Sequence, residues 1–147
     1  MVTATYSGDG SYDGYTSNLL LSDVEILQTT YYDDYAFLSR LSGEEKTAVT
    51  YASRSGYPAK TSFTKGLPTG SVVHSLGSRI GSVVSASYYD SEGRIISTRS
   101  TNHLGGTEVT HTTYTFTGKP ARTYHQHTAK GRETLTEEHA YRARGCR

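Results

Sequence analysis

Three histidines near the end of the sequence have a spacing that could hold a metal ion. His125 and His127 are separated by one residue, so on a strand both side chains point to the same face. His139 lies opposite them if the chain turns at 130–131, and three imidazoles on one face could bind Zn²⁺ with an open position. A polar strand face rich in threonine and histidine is the commoner arrangement. We therefore predict no metal and no other cofactor.

Other reactive side chains lack the arrangement that catalysis requires. Adjacent carboxylates at 33–34, 44–45 and 137–138 would point to opposite faces of a strand, so no pair is aimed at one substrate. Cys146 lies one residue from the end of the sequence, where a reactive thiol has no fixed partner. We predict that the chain is not an enzyme, with a His-dependent hydrolase as the least favoured interpretation.

Aromatic and basic residues interleave in the second half of the sequence and could form a ligand-binding face. The candidates are Tyr88, Arg99, Arg122 and Tyr124. Tyrosine rings can stack on sugars, and arginine adds cation–π contacts. We favour the alternative, in which the tyrosines pack inward across strands and the arginines stay in water. A carbohydrate-binding β module is therefore the second interpretation.

The composition indicates strands and turns. Only 34% of residues are hydrophobic, while 22 threonines, 13 tyrosines and 15 glycines suit a pleated, half-exposed sheet with tight turns. A net charge of +1 gives no reason to predict a nucleic-acid partner. No apolar run is long enough for a transmembrane helix, and residues 1–6 lack the pattern of a signal peptide.

Turn signals divide the second half into a predicted meander. The expected strands span approximately 71–76, 82–89, 94–101, 107–116, 120–127 and 132–141. The first half is less regular. It has a polar loop at 8–14, a strand end and turn at 31–35, a loop at 42–45, a short strand at 47–51 and a turn at 55–56. In the apolar segment 18–30 the alternation at 24–26 favours a strand, while the leucines at 19–21 could start a helical turn. We expect one all-β domain, with an irregular lead-in at 1–64 and repeats at 65–147.

Three short units recur, and each has glycine four residues after tyrosine. The members are Tyr89, Asp90, Gly93 and Arg94 in the first, Tyr114, Gly118 and Lys119 in the second, and Tyr141 and Gly145 in the third. Glycine supplies the positive φ that a hairpin loop needs near its end, and Asp90 can accept hydrogen bonds from turn amides. We therefore expect turns at 91–93, 117–118 and 129–131.

The segment Tyr88 to Ile96 resembles the core of the RHS/YD-repeat family, with a Tyr-Asp pair, two free positions, Gly-Arg and aliphatic residues. The stretch 97–106 is similar to RHS-repeat proteins of gut Bacteroidetes, and 65–70 resembles the approach to the first repeat in those proteins. The last unit departs from the pattern at Arg142 and Cys146. The resemblance covers about residues 65–145, and we expect the chain to be a fragment of a larger protein.

The resemblance implies an antiparallel β-hairpin ribbon that forms part of an RHS/YD-type shell. Its function would be structural, as shell or surface scaffold of a larger protein such as a polymorphic toxin. The implied partners are the rest of the parent RHS-repeat protein or its enclosed toxin domain, and carbohydrate under the second interpretation. The resemblance also implies a secreted or cell-surface parent protein, with no membrane insertion by this chain.

Overall fold

The computed structural model describes residues 4–6, 28–74, 82–132 and 134–141. Within them one sheet has its strands in chain order, and β2 to β8 form an antiparallel meander with β1 added in parallel to β2. The strands are β1 (Ala4–Tyr6), β2 (Gln28–Asp33), β3 (Thr64–Val73), β4 (Val83–Tyr89), β5 (Ile95–Thr101), β6 (Thr107–Tyr114), β7 (Pro120–Thr128) and β8 (Leu135–Ala140). The predicted all-β, antiparallel class is confirmed.

Strands β4 to β8 agree with the prediction to within a few residues, whereas β3 does not. It begins at Thr64 rather than at residue 71, because its first half pairs with β2 through an irregular register. The Asp33 carboxylate fixes this extension by accepting a 2.5 Å hydrogen bond from the amide of Gly66. The strand end and turn predicted at 31–35 is confirmed, while the predictions at 8–14 and 24–26 lie outside the described residues.

The loop predicted at 42–45 and the strand predicted at 47–51 are both wrong, because a helix, α1, spans Gly43–Val49. Ser42 caps this helix. Its hydroxyl accepts from the Glu45 amide, and the Glu45 carboxylate accepts from the Ser42 amide at 3.1 Å. This reciprocal capping box satisfies two amides that the first helical turn leaves unpaired. A 3₁₀ helix over Ala36–Arg40 precedes it.

The two helices cover one face of the sheet, which we call the covered face. Phe37 and Val49 pack there in a small apolar core with residues of β3 and β4: Val72, Val84, Ala86 and Tyr88. Because side chains alternate along a strand, neighbouring residues project from the second face, where the Ser71 and Ser85 hydroxyls meet at 2.9 Å. The covered face therefore carries the described apolar core.

Candidate functional site

Three turns between consecutive strands share one backbone geometry, and we call them turn units. They span Asp90–Arg94, Asn102–Gly106 and Thr115–Lys119. In each, the first residue's carbonyl accepts from the amide of the glycine three residues later, and its own amide donates to the carbonyl of the fifth residue. The glycines adopt φ between 69° and 78°, the left-handed region that glycine enters without steric cost.

The side chain of the first residue closes each turn unit. Asp90 Oδ1 accepts 2.9 Å hydrogen bonds from the amides of Glu92 and Arg94. Asn102 Oδ1 likewise accepts from the second and fourth residues after it, at 3.0 and 2.9 Å. Thr115 Oγ1 accepts from the Lys119 amide at 3.1 Å. The position therefore requires a short side-chain acceptor, and aspartate is one of three that serve here.

The repeat pattern of tyrosine and glycine did not include the turn at Asn102, which the structure adds to this series. An acceptor side chain three residues before the positive-φ glycine, here Asn102 before Gly105, was the pattern that could have identified it. The predicted third repeat is only partly described. The Tyr141 amide donates to the Ala121 carbonyl at 2.8 Å, and Gly145 lies outside the described residues. The predicted turns at 91–93, 117–118 and 129–131 are confirmed.

Two of the repeat tyrosines, Tyr89 and Tyr114, each reach back to an earlier glycine-containing segment at the same end of the sheet. The Tyr114 hydroxyl donates to the Ile95 carbonyl at 2.7 Å, and the Tyr89 hydroxyl donates to the Pro68 carbonyl at 2.5 Å. Ile95 follows Gly93 by two residues, and Pro68 follows Gly66 by two residues. Gly66 also has a positive φ, of 81°. The same contact therefore occurs twice, each time between a tyrosine and the carbonyl beyond an earlier glycine.

Arg94 stabilises its own turn unit and also contacts Tyr114, the residue just before the turn unit at Thr115. Its Nε donates to Asp90 Oδ2 at 2.7 Å, and a terminal nitrogen lies 2.9 Å from the Glu92 carboxylate. Its guanidinium carbon is 5.0 Å from the centroid of the Tyr114 ring. Burial tends to raise the pKa of Asp90, but hydrogen bonds from Arg94 and the Glu92 amide outweigh it, so the pKa is lowered. The carboxylate therefore stays ionised within the turn.

The four residues proposed as a ligand face all lie on the covered face, in β4, β5 and β7. Tyr88 is only 1% exposed, and its hydroxyl donates to the Val49 carbonyl at 2.6 Å. Tyr124 is 5% exposed, while Arg122 lies 3.6 Å from the Glu138 carboxylate. The inward packing that we favoured for the tyrosines therefore holds for Tyr88, because the helical layer packs over this ring.

The histidines form a different arrangement from the one considered for a metal. His125 and His127 share the second face, and each bonds one oxygen of Glu108, with His125 Nε2 at 2.9 Å. His139 pairs with Thr123 across the strands and lies 3.7 Å from the Glu137 carboxylate. Burial tends to raise the pKa of Glu108, yet the bonds from both histidines lower it overall. Within the described ranges no three such ligands are placed to hold a metal ion.

A hydrolase would need an accessible nucleophile beside a base. Ser97 lies directly across from His111 on the covered face. Ser97 is 1% exposed, and its hydroxyl has no hydrogen-bond partner among the described residues. A substrate cannot reach this oxygen, so the pair does not form a nucleophilic site. Cys146 lies outside the described residues.

Comparison with known proteins finds no match, whether to family models, to curated proteins or to solved structures. Among the described residues no helix has both the length and the apolar character needed to cross a membrane. Function must therefore be argued from the geometry of the turn units and the sheet.

Proposed function

We propose that the chain is a non-enzymatic structural segment of an RHS/YD-type repeat protein, serving as shell or surface scaffold. The repeated tyrosine contact carries the proposal. Tyr89 and Tyr114 each bond the carbonyl two residues beyond an earlier positive-φ glycine, so the same contact recurs along one end of the sheet. Stability in such an array comes from each unit covering its neighbour. An ordinary meander does not require this equivalence between its turns.

The free side of β8 supports the same proposal. All six residues of this strand are exposed, and within the described residues it pairs only with β7. A strand at the edge of a sheet offers unpaired N–H and C=O groups for another strand. In the proposed array a further hairpin of the parent protein occupies this edge. The parent would be secreted or at the cell surface, with a toxin domain as its enclosed partner.

The carbohydrate-binding interpretation is less well supported. Sugar stacking needs an aromatic ring with an open face, and Tyr88 is buried beneath the helical layer. The Tyr124 ring is already covered by Arg54, whose guanidinium carbon lies 3.4 Å from the ring centroid. The two tyrosines chosen from the sequence therefore serve packing.

Replacing Tyr114 by phenylalanine tests the contact between units. The ring remains, but the hydrogen bond to the Ile95 carbonyl is lost, so the free energy of unfolding should fall by about 1 kcal/mol. Amide hydrogen exchange should accelerate in the earlier turn unit at the same end of the sheet, residues 90–94, as well as near residue 114. Exchange measured by mass spectrometry or NMR reports both segments.

Tyr141→Phe is the matched control, because Tyr141 is 58% exposed and its hydroxyl forms no hydrogen bond among the described residues. It should change neither stability nor exchange at 90–94. If Tyr114→Phe alters exchange only at residues 114–119, the units do not stabilise one another and the array proposal fails.

A further inference from the structure

A cavity of about 220 Å³ lies on the covered face, beside the helical layer. Strands β5, β6 and β7 form its floor, and residues 52–54 form one wall. The polar lining residues are Ser53, Arg54, Arg99, Thr107, His111 and Gln126. None of the described lining residues carries a carboxylate. The cavity therefore combines two permanent positive charges with hydroxyl, amide and imidazole groups.

Neither arginine is neutralised by an acidic side chain. Arg54 is held against the Tyr124 ring, with its guanidinium carbon 3.4 Å from the centroid. Arg99 Nε donates to the Ala48 carbonyl, in the last turn of α1, at 3.1 Å. In the part of the chain that the structure describes, no carboxylate lies within ion-pair distance of either guanidinium. Both cations are thus positioned by neutral groups and keep donors for another partner.

The imidazole of His111 lines the cavity and has no hydrogen bond with any described residue. His111 is 5% exposed, and its ring centroid lies 5.6 Å from that of Tyr57 and 6.2 Å from that of Tyr124. Burial, together with the nearby charges of Arg99 and Arg54, lowers the pKa of His111. The imidazole can therefore form a hydrogen bond with a ligand or water in the cavity.

Glu138, the carboxylate nearest to the cavity in the strand register, already contacts other side chains. Glu138 lies across from Tyr124 in β8, but its Oε1 accepts a 2.9 Å hydrogen bond from the Tyr57 hydroxyl. The same oxygen is 3.6 Å from Arg122 Nε. Glu138 therefore balances Arg122 and leaves the charges of Arg54 and Arg99 uncompensated.

We propose that this cavity binds the phosphate or sulfate group of a small dianion. Two fixed guanidiniums match a charge of minus two, and guanidinium geometry favours bidentate contact with such oxyanions. The hydroxyls of Ser53 and Thr107 can donate to the remaining oxygens. The volume is below the range of about 300–1,000 Å³ typical of sites for drug-sized ligands, which favours a compact group. This site does not depend on the repeat-protein proposal.

Calorimetric titration of the full chain with sodium sulfate and sodium phosphate tests the proposal, with sodium chloride at equal ionic strength as the reference. We expect saturable one-to-one binding by the wild type. Arg54→Gln and Arg99→Lys should each weaken it by about tenfold or more, since each removes charge-assisted hydrogen bonds. Arg132→Gln is the matched control, because Arg132 is exposed and does not line the cavity, and it should leave the affinity unchanged.

Glucose 6-phosphate distinguishes the source of the group. Binding at an affinity similar to that of free phosphate would assign the site to phosphate esters, and its exclusion would assign it to the free ion. Absence of sulfate and phosphate binding at millimolar concentration would overturn the proposal. An equal loss in Arg132→Gln would also overturn it, by showing nonspecific charge attraction. If Arg99→Lys fails to fold by circular dichroism, Arg54→Gln decides the result.

Discussion

Replacing Gly106 by alanine should lower the free energy of unfolding by more than about 3 kcal/mol. A Cβ atom at this position would lie 1.8 Å from the Thr128 carbonyl oxygen and 2.8 Å from the Ala129 Cα. Both are backbone atoms at the end of β7, so no side-chain rotation can relieve the overlap. The start of β6 and the end of β7 must separate, which breaks pairing at Thr107 and Thr128.

Gly43→Ala is the control for this prediction. A Cβ at Gly43 would have no neighbour within 4 Å, and alanine favours the helical conformation, so stability should stay equal or rise slightly. Urea denaturation followed by circular dichroism gives both values. If Gly106→Ala unfolds at the same urea concentration as the wild type, β6 and the end of β7 do not approach as closely as described.

Replacing Gly93 by valine should cost about 2 kcal/mol, because the residue adopts a φ of 75°, which β-branched side chains resist. Steric crowding contributes little. The nearest atom to a Cβ would be Leu67 Cδ1 at 3.9 Å, an ordinary contact distance. The expected effect therefore arises from the backbone conformation of the turn unit.

Gly93→Asn separates this backbone effect from the loss of glycine itself, since asparagine enters the left-handed region more readily than other non-glycine residues. It should destabilise the protein clearly less than Gly93→Val in thermal or urea unfolding. Equal losses for the two variants would mean that positive φ at Gly93 does not govern the stability of the hairpin.

The turn units at 90–94 and 115–119 could be predicted because their chemistry is local, although the unit at Asn102 was missed. A short acceptor side chain, two intervening residues and a glycine with positive φ fall within five positions, and the sequence displays all of them at Asp90–Arg94. The strands on either side then follow from the spacing of the turns. Because these signals are local, the predicted and observed bounds of β4 to β8 agree to within a few residues.

The helical layer could not be predicted from composition in the same way. Thr47 to Tyr51 has residues that favour strands, yet Val49 ends helix α1 and is fully buried against the sheet. The Ser42 capping box was the available local signal, and burial of Phe37 and Val49 against β3 and β4 outweighs strand propensity.

Contacts between residues that are far apart in the sequence could not be predicted from the sequence pattern. The Tyr114 hydroxyl donates a hydrogen bond to the backbone carbonyl of Ile95. Because every residue has a backbone carbonyl, the residue type does not indicate which one accepts. The same holds for Arg99 at the Ala48 carbonyl. The cavity at Arg54, Arg99 and His111 depends on how residues 52–54 cross the sheet, which no spacing in the sequence reveals.

Sedimentation velocity of the purified chain tests the central claim. The claim is that this sheet is an array of repeated units whose edge strand, β8, can pair with a further strand. We expect concentration-dependent association through that edge, weakened by Leu135→Lys, because lysine on an edge strand opposes pairing. Leu135 is 56% exposed in β8, and the control Phe116→Lys alters a still more exposed apolar residue, 104% exposed at a turn, so it should leave association unchanged. A wild-type chain that remains monomeric at every soluble concentration, with Leu135→Lys indistinguishable from it, would contradict the claim.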